Sequence, residues 1–223
     1  MRKHILKKRT ALLAACAALV LAACGKDDYF IDGGLSRQSA EEMKMPVYDF
    51  LASRSNHMFD SLIKIIDLTD AKNIVNQQDI TFFAAPNSAV QRLQMNYNPD
   101  DRQTPRPLAM IGKDTLLNLL GRFIIKGNRI TLEEAVRDRE KFHKSLNGDS
   151  LYLFGRGGGI NAGSSIQTSA YYLEYMHLKI PGVDSVQYST SFQTHNLITA
   201  NAIVHVLRYE ASYAAGLKQR YFR

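Results

Sequence analysis

The chain has 223 residues, 45% of them hydrophobic and 22% charged, which suits one domain of ordinary size and excludes both wholesale disorder and a polytopic membrane protein. The formal charge of +7 does not mark a nucleic-acid binder, because Arg2, Lys3, Lys7, Lys8 and Arg9 supply five of the positives while residues 1–23 contain no Asp or Glu. Without that segment 23 basic side chains face 21 acidic ones, a net of +2, too little to grip a phosphate backbone. Both cysteines, Cys16 and Cys24, lie in the N-terminal stretch, so the rest of the chain has no thiol nucleophile, thiolate metal site or internal disulfide.

A basic segment, residues 2–9, precedes an apolar run over residues 11–23, short for a membrane span and typical of a signal peptide. The run ends in Leu21-Ala22-Ala23-Cys24, which resembles a bacterial lipobox. Cys24 is therefore the expected lipidation site, and acyl chains contribute about 0.8 kcal/mol per buried CH2 to holding a protein on a membrane. Leu13-Ala14-Ala15 before Cys16 offers a second box, but cleavage there would reduce the apolar run to a stub. The following Gly25-Lys26-Asp27-Asp28 resembles the acidic tether that sends some Gram-negative lipoproteins to the outer face of the outer membrane. The expectation is a signal peptide over residues 1–23, a flexible tether over 24–42, and a surface-exposed, lipid-anchored domain on the outer membrane.

Ordered pattern begins near Pro46. Val47, Phe50 and Leu51 have helical spacing, and a second helix follows with Asn56 as N-cap and Phe59, Leu62, Ile63 and Ile66 along one face. Residues 80–84 are a short apolar run with Thr81 and two phenylalanines, a buried strand. Pro86-Asn87-Ser88 opens a helix through Leu93, with Asn87 placed to cap it. Three prolines, Pro99, Pro105 and Pro107, make residues 96–110 a loop. Leu116, Leu117, Leu119 and Leu120 mark a helix, and residues 122–126 a strand. Thr131-Leu132-Glu133-Glu134 forms a capping box at the next helix start.

Asn147-Gly148, between apolar stretches 142–146 and 151–154, signals a hairpin whose turn tolerates positive φ at both residues. A glycine-rich stretch over 155–163 precedes strand-like residues 170–180, a Pro181-Gly182 turn and a closing strand over 203–209. Helices cluster early and strands late, which predicts an α+β domain with short helices packed against a twisted sheet, a wedge or sandwich.

Three segments in order resemble the fasciclin-like (FAS1) family. The run from Thr81-Phe82-Phe83-Ala84-Ala85-Pro86-Asn87 to Ser88-Ala89-Val90 is similar to its first box, and Asn201-Ala202-Ile203-Val204-His205-Val206-Leu207 to its second. Residues 116–135, with Phe123-Ile124-Ile125-Lys126-Gly127 inside, are similar to its central helix, strand and following helix. Ser145-Leu146-Asn147-Gly148 and Ile160-Asn161-Ala162 fall where the family carries a hairpin and a strand. The resemblance spans residues 46–209 and implies a single fasciclin-like domain, assigned here to residues 43–210, with Thr81, Phe83, Asn87, Gly127, Asn201 and His205 as structural motif positions. Ala85-Pro86 displaces the family's proline by one, Ala202 replaces a glycine, and Arg122-Phe123 replaces a Tyr-His pair tied to receptor adhesion in some animal members. The aromatic stretch 171–197 exceeds the family's connection and predicts an extra strand pair or an elaborated loop.

Chemistry-bearing patterns are few. Glu140/His143 and Glu174/His177 are Glu-x-x-His pairs, but the second sits in a strand-like run where i and i+3 face oppositely. Gly155-Arg156-Gly157-Gly158-Gly159 lacks the Gly-Lys-Ser/Thr ending of a phosphate cradle, and Asp27/Asp28 and Asp100/Asp101 are solvated loop charges. No cofactor or metal is called for. His205, flanked on its own face by Ile203 and Leu207, is expected in the core.

Tyr171, Tyr172 and Tyr175, with Tyr188 and Phe192, either fill the sheet core or form an exposed aromatic strip for sugars or protein partners. Residues 211–223 form a basic, aromatic tail that is frayed or lies on anionic headgroups. The sequence thus points to a non-catalytic envelope protein that binds a protein or polysaccharide partner. The alternatives are an accessory component of a glycan-uptake system, contacting sugar through residues 171–192, and a hydrolase with an unrecognised site.

Overall fold

The computed structural model describes residues 38–98, 101, 103–138, 141–156 and 172–222. Cys24, the tether before residue 38, Ile160-Asn161-Ala162 and Tyr171 lie outside the described residues. Strand β1 (Ile80–Ala84) and strand β7 (Ala202–Leu207) run side by side in parallel, in register from Ile80↔Ala202 to Ala84↔Val206. Both strands are buried along their whole length, as near-continuous apolar runs covered on two faces must be. Strand β2 (Ile124–Ile125) joins β1 antiparallel on one side. On the other side β6 (Tyr188–Ile198), β5 (Tyr172–His177), β4 (Ser150–Arg156) and β3 (Phe142–Lys144) continue antiparallel from β7. The result is a mixed seven-stranded sheet of order β2-β1-β7-β6-β5-β4-β3.

Among the described residues six short α-helices accompany it: α1 (Val47–Ala52), α2 (Asp60–Leu68), α3 (Lys72–Val75), α4 (Asn87–Asn96), α5 (Lys113–Arg122) and α6 (Leu132–Arg137). Their apolar faces carry Phe50, Leu62, Ile66, Val90, Leu93 and Leu119 into one core with Phe82 and Phe83 of β1. The α+β order expected from the sequence is observed, and the aromatic stretch after residue 171 is a strand pair built into the sheet. The 122–126 strand is corrected. Arg122 closes α5 and only Ile124 and Ile125 pair with β1.

The two box asparagines link elements that are far apart in sequence. Asn201, 1% exposed, accepts a hydrogen bond from the Val47 amide at the start of α1 and donates to the carbonyls of Val75 and Gln77. Asn87 does not cap its own helix. Its Oδ1 accepts from Ser61 N–H in the first turn of α2, and its Nδ2 donates to His57 C=O. Asn56, expected as the α2 cap, only accepts from Met58 N–H two residues on. The cap of α2 therefore comes from another element, where a local sequence window cannot register it. The Thr131 capping box forms as expected.

The Asn147-Gly148 hairpin exists with a different turn. Gly148 alone takes positive φ (+84°), and Ser145 N–H donates to Asp149 C=O while Gly148 N–H donates to Ser145 C=O. Asn147 instead docks on α5, donating to Asn118 C=O, and sits where a β-carbon on Gly121 would come within 2.0 Å of its Oδ1. Gly127 takes φ +71° just after β2. Residues 211–217 are no tail: Ala211, Tyr213, Ala214, Ala215 and Leu217 are buried, and Tyr213 N–H donates to Ala89 C=O of α4. At the other end of the described chain, the Gln38 amide pairs with both the carbonyl and the amide of Ile198 in β6.

Asn201→Ala removes three hydrogen bonds, two of them fully buried, and leaves their backbone partners unsatisfied, so it should cost about 3 kcal/mol or more. Asn56→Ala, which loses one exposed bond, should cost less than about 1 kcal/mol. Urea denaturation of the two variants beside the parent checks the contrast.

Candidate functional site

Strand alternation decides the fate of the aromatic stretch. Tyr175 is fully buried and Phe192 is 6% exposed, while Tyr188 is half-buried and packs on the same core. The Tyr175 ring lies 5.2 Å from Phe83 and 5.5 Å from Phe123, and Phe192 lies 5.3 Å from Phe83. The exposed strip of Tyr175, Tyr188 and Phe192 is thereby corrected, since their face of the sheet is the one that meets Phe83 and Phe123. Tyr172 has only its backbone described, in β5, and Tyr171 lies outside the described residues.

Beneath these rings is a buried charge cluster that sequence reasoning missed. Arg122, with no exposure, donates from Nη1 to Asp184 Oδ1 at 2.7 Å and to Ala215 C=O at 3.2 Å, and from Nε to Asn118 Oδ1 at 3.2 Å. Asp149 Oδ2 lies 3.9 Å from Arg122 Nε and 3.2 Å from His177 Nε2. His177 Nδ1 is 3.9 Å from Asp184 Oδ2, which accepts from Ile180 N–H at 2.8 Å. The Tyr175 hydroxyl donates to Arg122 C=O at 2.9 Å. Burial lowers the His177 pKa, helped by the Arg122 charge and opposed by Asp149 and Asp184. The cluster ties α5, the β3–β4 hairpin, the turn after β5 and the C-terminal segment, which is architectural work. Its only sequence signal was a cation where the family resemblance called for an aromatic pair.

His205, also without exposure, uses both ring nitrogens: Nε2 donates to Ile130 C=O at 2.9 Å and Nδ1 accepts from Asn196 N–H at 3.2 Å. Burial pushes its pKa down to about 3. Asn196 sits at φ +59° beside an irregularity in the β6–β7 register, accepts from Leu132 N–H, and donates to Glu133. Thr81 holds the same turn from β1, donating to Asn128 C=O at 2.7 Å and accepting from Ile130 N–H at 2.9 Å. Thr81, Asn87, Asn201 and His205 thus direct their polar atoms into the fold, and Phe83 fills its core.

The turn so fixed forms one wall of a cleft of about 110 Å³, lined by Asn128, Ile130, Glu134, Ala135, Arg137, Asp138, Lys141 and His143. Helix α6 supplies Glu134, Ala135 and Arg137, with Asp138 just beyond its end, and β3 supplies His143. His143 is 8% exposed, and burial followed by the Lys141 charge lowers its pKa. Arg137 Nε donates to Asp138 Oδ1 at 3.1 Å, with the arginine side chain 69% exposed at the rim. Of the Glu-x-x-His pairs, His177 points into the core beneath β5, and Glu140 lies outside the described residues. Asp101 accepts from the amides of Gln103 and Thr104, an arrangement that closes its own loop. Among the described residues no group of three or more His, Cys, Asp or Glu could hold a metal ion, and no helix is long and apolar enough to cross a membrane.

A parallel strand pair carrying both boxes, extended by antiparallel strands and covered by short helices, defines an α+β domain of fasciclin-like fold. The FAS1 domain pair from the insect cell adhesion molecule fasciclin I is similar in structure, with a TM-score of 0.51 at 14% sequence identity over 80% of this chain and 53% of that one. This chain spans about half the length of that structure, which holds two such domains. No family model matches the sequence, and no curated protein matches it. The likeness is therefore one of fold.

Two outcomes are expected. The ordinary histidine pKa is 6.5 and the folded value at His205 is about 3, so within that window the unfolded chain binds a proton that the folded chain refuses. The stabilisation is full above pH 6.5 and is lost as pH falls toward 3, at on the order of 1 kcal/mol per unit. Denaturant titrations across the window should show a shallower pH slope for His205→Gln than for the parent. Arg122→Met leaves the Asp184 carboxylate buried without its cation and should cost about 3–5 kcal/mol, much of it recovered when Asp184→Asn is added, as a double-mutant cycle would show.

Proposed function

We propose that this is a non-catalytic, lipid-anchored protein of a Gram-negative cell envelope whose fasciclin-like domain binds a protein or polysaccharide partner at the cell surface. The fold supports the binding part of this reading, since the similar structure belongs to a cell adhesion molecule. The observation that carries the rest is the ordered N-terminal pattern of basic residues, apolar run and Leu21-Ala22-Ala23-Cys24, which suits signal-peptide cleavage and acylation at Cys24. The family's box side chains are engaged internally, so a partner is met by surface that the boxes support.

The glycan-uptake alternative drew on the aromatic stretch. With Tyr175 and Phe192 buried, those rings offer no stacking face, and a sugar-binding role needs another site on the domain. Labelled fatty acid supplied to cells should enter the parent protein, and Cys24→Ala should abolish both the label and sedimentation with membranes. Retention of the variant on membranes would overturn the anchor. Capture from intact cells with the anchored full-length protein should return a saturable surface partner, and capture of nothing beyond control levels would count against the binding role.

A further inference from the structure

Successive residues of β3, β4 and β5 point to opposite faces of the sheet, and the two faces differ. His143, Leu151, Leu153, Leu173, Tyr175 and His177 turn inward and are buried. Helix α6 packs on that side, where a β-carbon on Gly155 would come within 2.2 Å of Val136. The other face carries a cross-strand row, Phe142↔Tyr152↔Met176. Phe142 is 54% exposed, Tyr152 and Met176 are half-buried, and the rings of Phe142 and Tyr152 stand 4.0 Å apart. Gln187 Nε2 donates to Met176 Sδ at 3.2 Å at the far end of the row. A contiguous apolar strip with a polar rim is the usual mark of an interaction surface.

Two charges flank the row. Lys144 is on β3, one strand from Tyr152 and two residues to one side, since it pairs with Ser150. Glu174 is on β5, one strand the other way and two residues to the opposite side, since it pairs with Phe154. Lys144 is exposed and Glu174 half-buried. Lys144 Nζ donates to Ser150 Oγ at 2.8 Å, which leaves two of the three ammonium protons for a further acceptor. With strands about 4.8 Å apart and residues rising about 3.4 Å, the two positions are about 17 Å from each other, too far to pair within one copy.

They do lie symmetrically about Tyr152. A twofold axis in the plane of contact, over Tyr152 and at right angles to the Lys144–Glu174 diagonal, brings Lys144 of each copy onto Glu174 of the other. The same rotation sets Tyr152 on its own counterpart, so the two apolar rows cross over it. This is the pattern of an isologous contact, in which one patch is its own complement. A partner of single-signed charge would meet one of the two flanking charges unfavourably, whereas a second copy satisfies both.

We infer that the Phe142–Tyr152–Met176 face is the contact of a symmetric homodimer, closed at each end by a Lys144–Glu174 pair between copies. The face is small against the roughly 800 Å² per partner of a stable dimer. The association is therefore weak, with a dissociation constant between about 10 µM and 1 mM.

The test is sedimentation equilibrium of the purified full-length protein across that concentration range, where the parent should pass from monomer to dimer. Lys144→Glu and Glu174→Lys each set like charges together twice per dimer, and each should weaken self-association at least tenfold. An equimolar mixture of the two variants should form a heterodimer of parental affinity, and a chain carrying both exchanges should again pair with itself. Association through the N-terminal apolar run is common to every variant and does not follow this charge pattern. If either exchange prevents folding, Phe142→Ser, at the exposed edge, should weaken the dimer at least tenfold and decides the matter. A parent that stays monomeric, a dimer indifferent to these substitutions, or charge exchanges that fail to rescue each other overturns the inference. The lipid anchor and the surface partner are tested separately, so a strictly monomeric protein leaves both standing.

Discussion

Parallel pairing of β1 with β7 is the constraint on which the remaining architecture depends. Parallel neighbours cannot be joined by a tight turn, so a connection between them has to leave the sheet and return. Here that connection is nearly the whole domain, from Ala85 to Asn201. Strands β2 to β6 and helices α4, α5 and α6 lie inside this excursion. Closing so long a loop is entropically unfavourable, and the closure is held by full burial of both strands together with side chains that bridge from them. Thr81 on β1 and His205 on β7 both hold the turn at residues 128–130, Thr81 at Asn128 C=O and Ile130 N–H and His205 at Ile130 C=O. Asn201, at the mouth of β7, does the same for α1 and the segment after α3.

The same logic explains a buried cation in so small a protein. An arginine without exposure is expensive to desolvate, and its attraction to a carboxylate offsets that cost only when the geometry is good and further hydrogen bonds are made. Arg122 has the 2.7 Å contact with Asp184, a carbonyl and an amide oxygen as partners. The Asp184 turn and the C-terminal segment are joined as well by backbone bonds from Ser185 N–H to Gly216 C=O and from Lys218 N–H to Val183 C=O. A wrong docking of the hairpin or of the C-terminal segment would leave a charge stranded, so the cluster favours one arrangement over its neighbours more than it adds to net stability.

How much of this could be read in advance depended on whether the determinant was local. The strand at residues 80–84, the Thr131 capping box and the late cluster of strands followed from composition and spacing, because each is decided within a few residues. Asn87 does not make the cap expected of it, and Asn147, in the hairpin as expected, does not take the positive φ. Each carries a local signature, a helix cap in one case and a positive-φ turn in the other, yet each side chain is used by a distant element. The choice between core and strip for Tyr175 and Phe192 hinged on which sheet face meets Phe83, a tertiary fact. Arg122 and Asp184 are 62 positions apart, and nothing short-range relates them. The His143 cleft was invisible for a similar reason, since its walls come from a turn, a helix and an edge strand.

The Gln38 amide, bonded to both backbone groups of Ile198, stands where the described chain begins. A domain held at one end and pulled at the other receives load at its point of attachment. A load applied at residue 38 would meet this side-chain clasp before the strand ladder. Such a clasp can break and re-form singly, while the β6–β7 pairing behind it stays intact. Gln38 is thus a peripheral fastening on the edge of the fold, one whose opening would leave the hydrophobic core untouched.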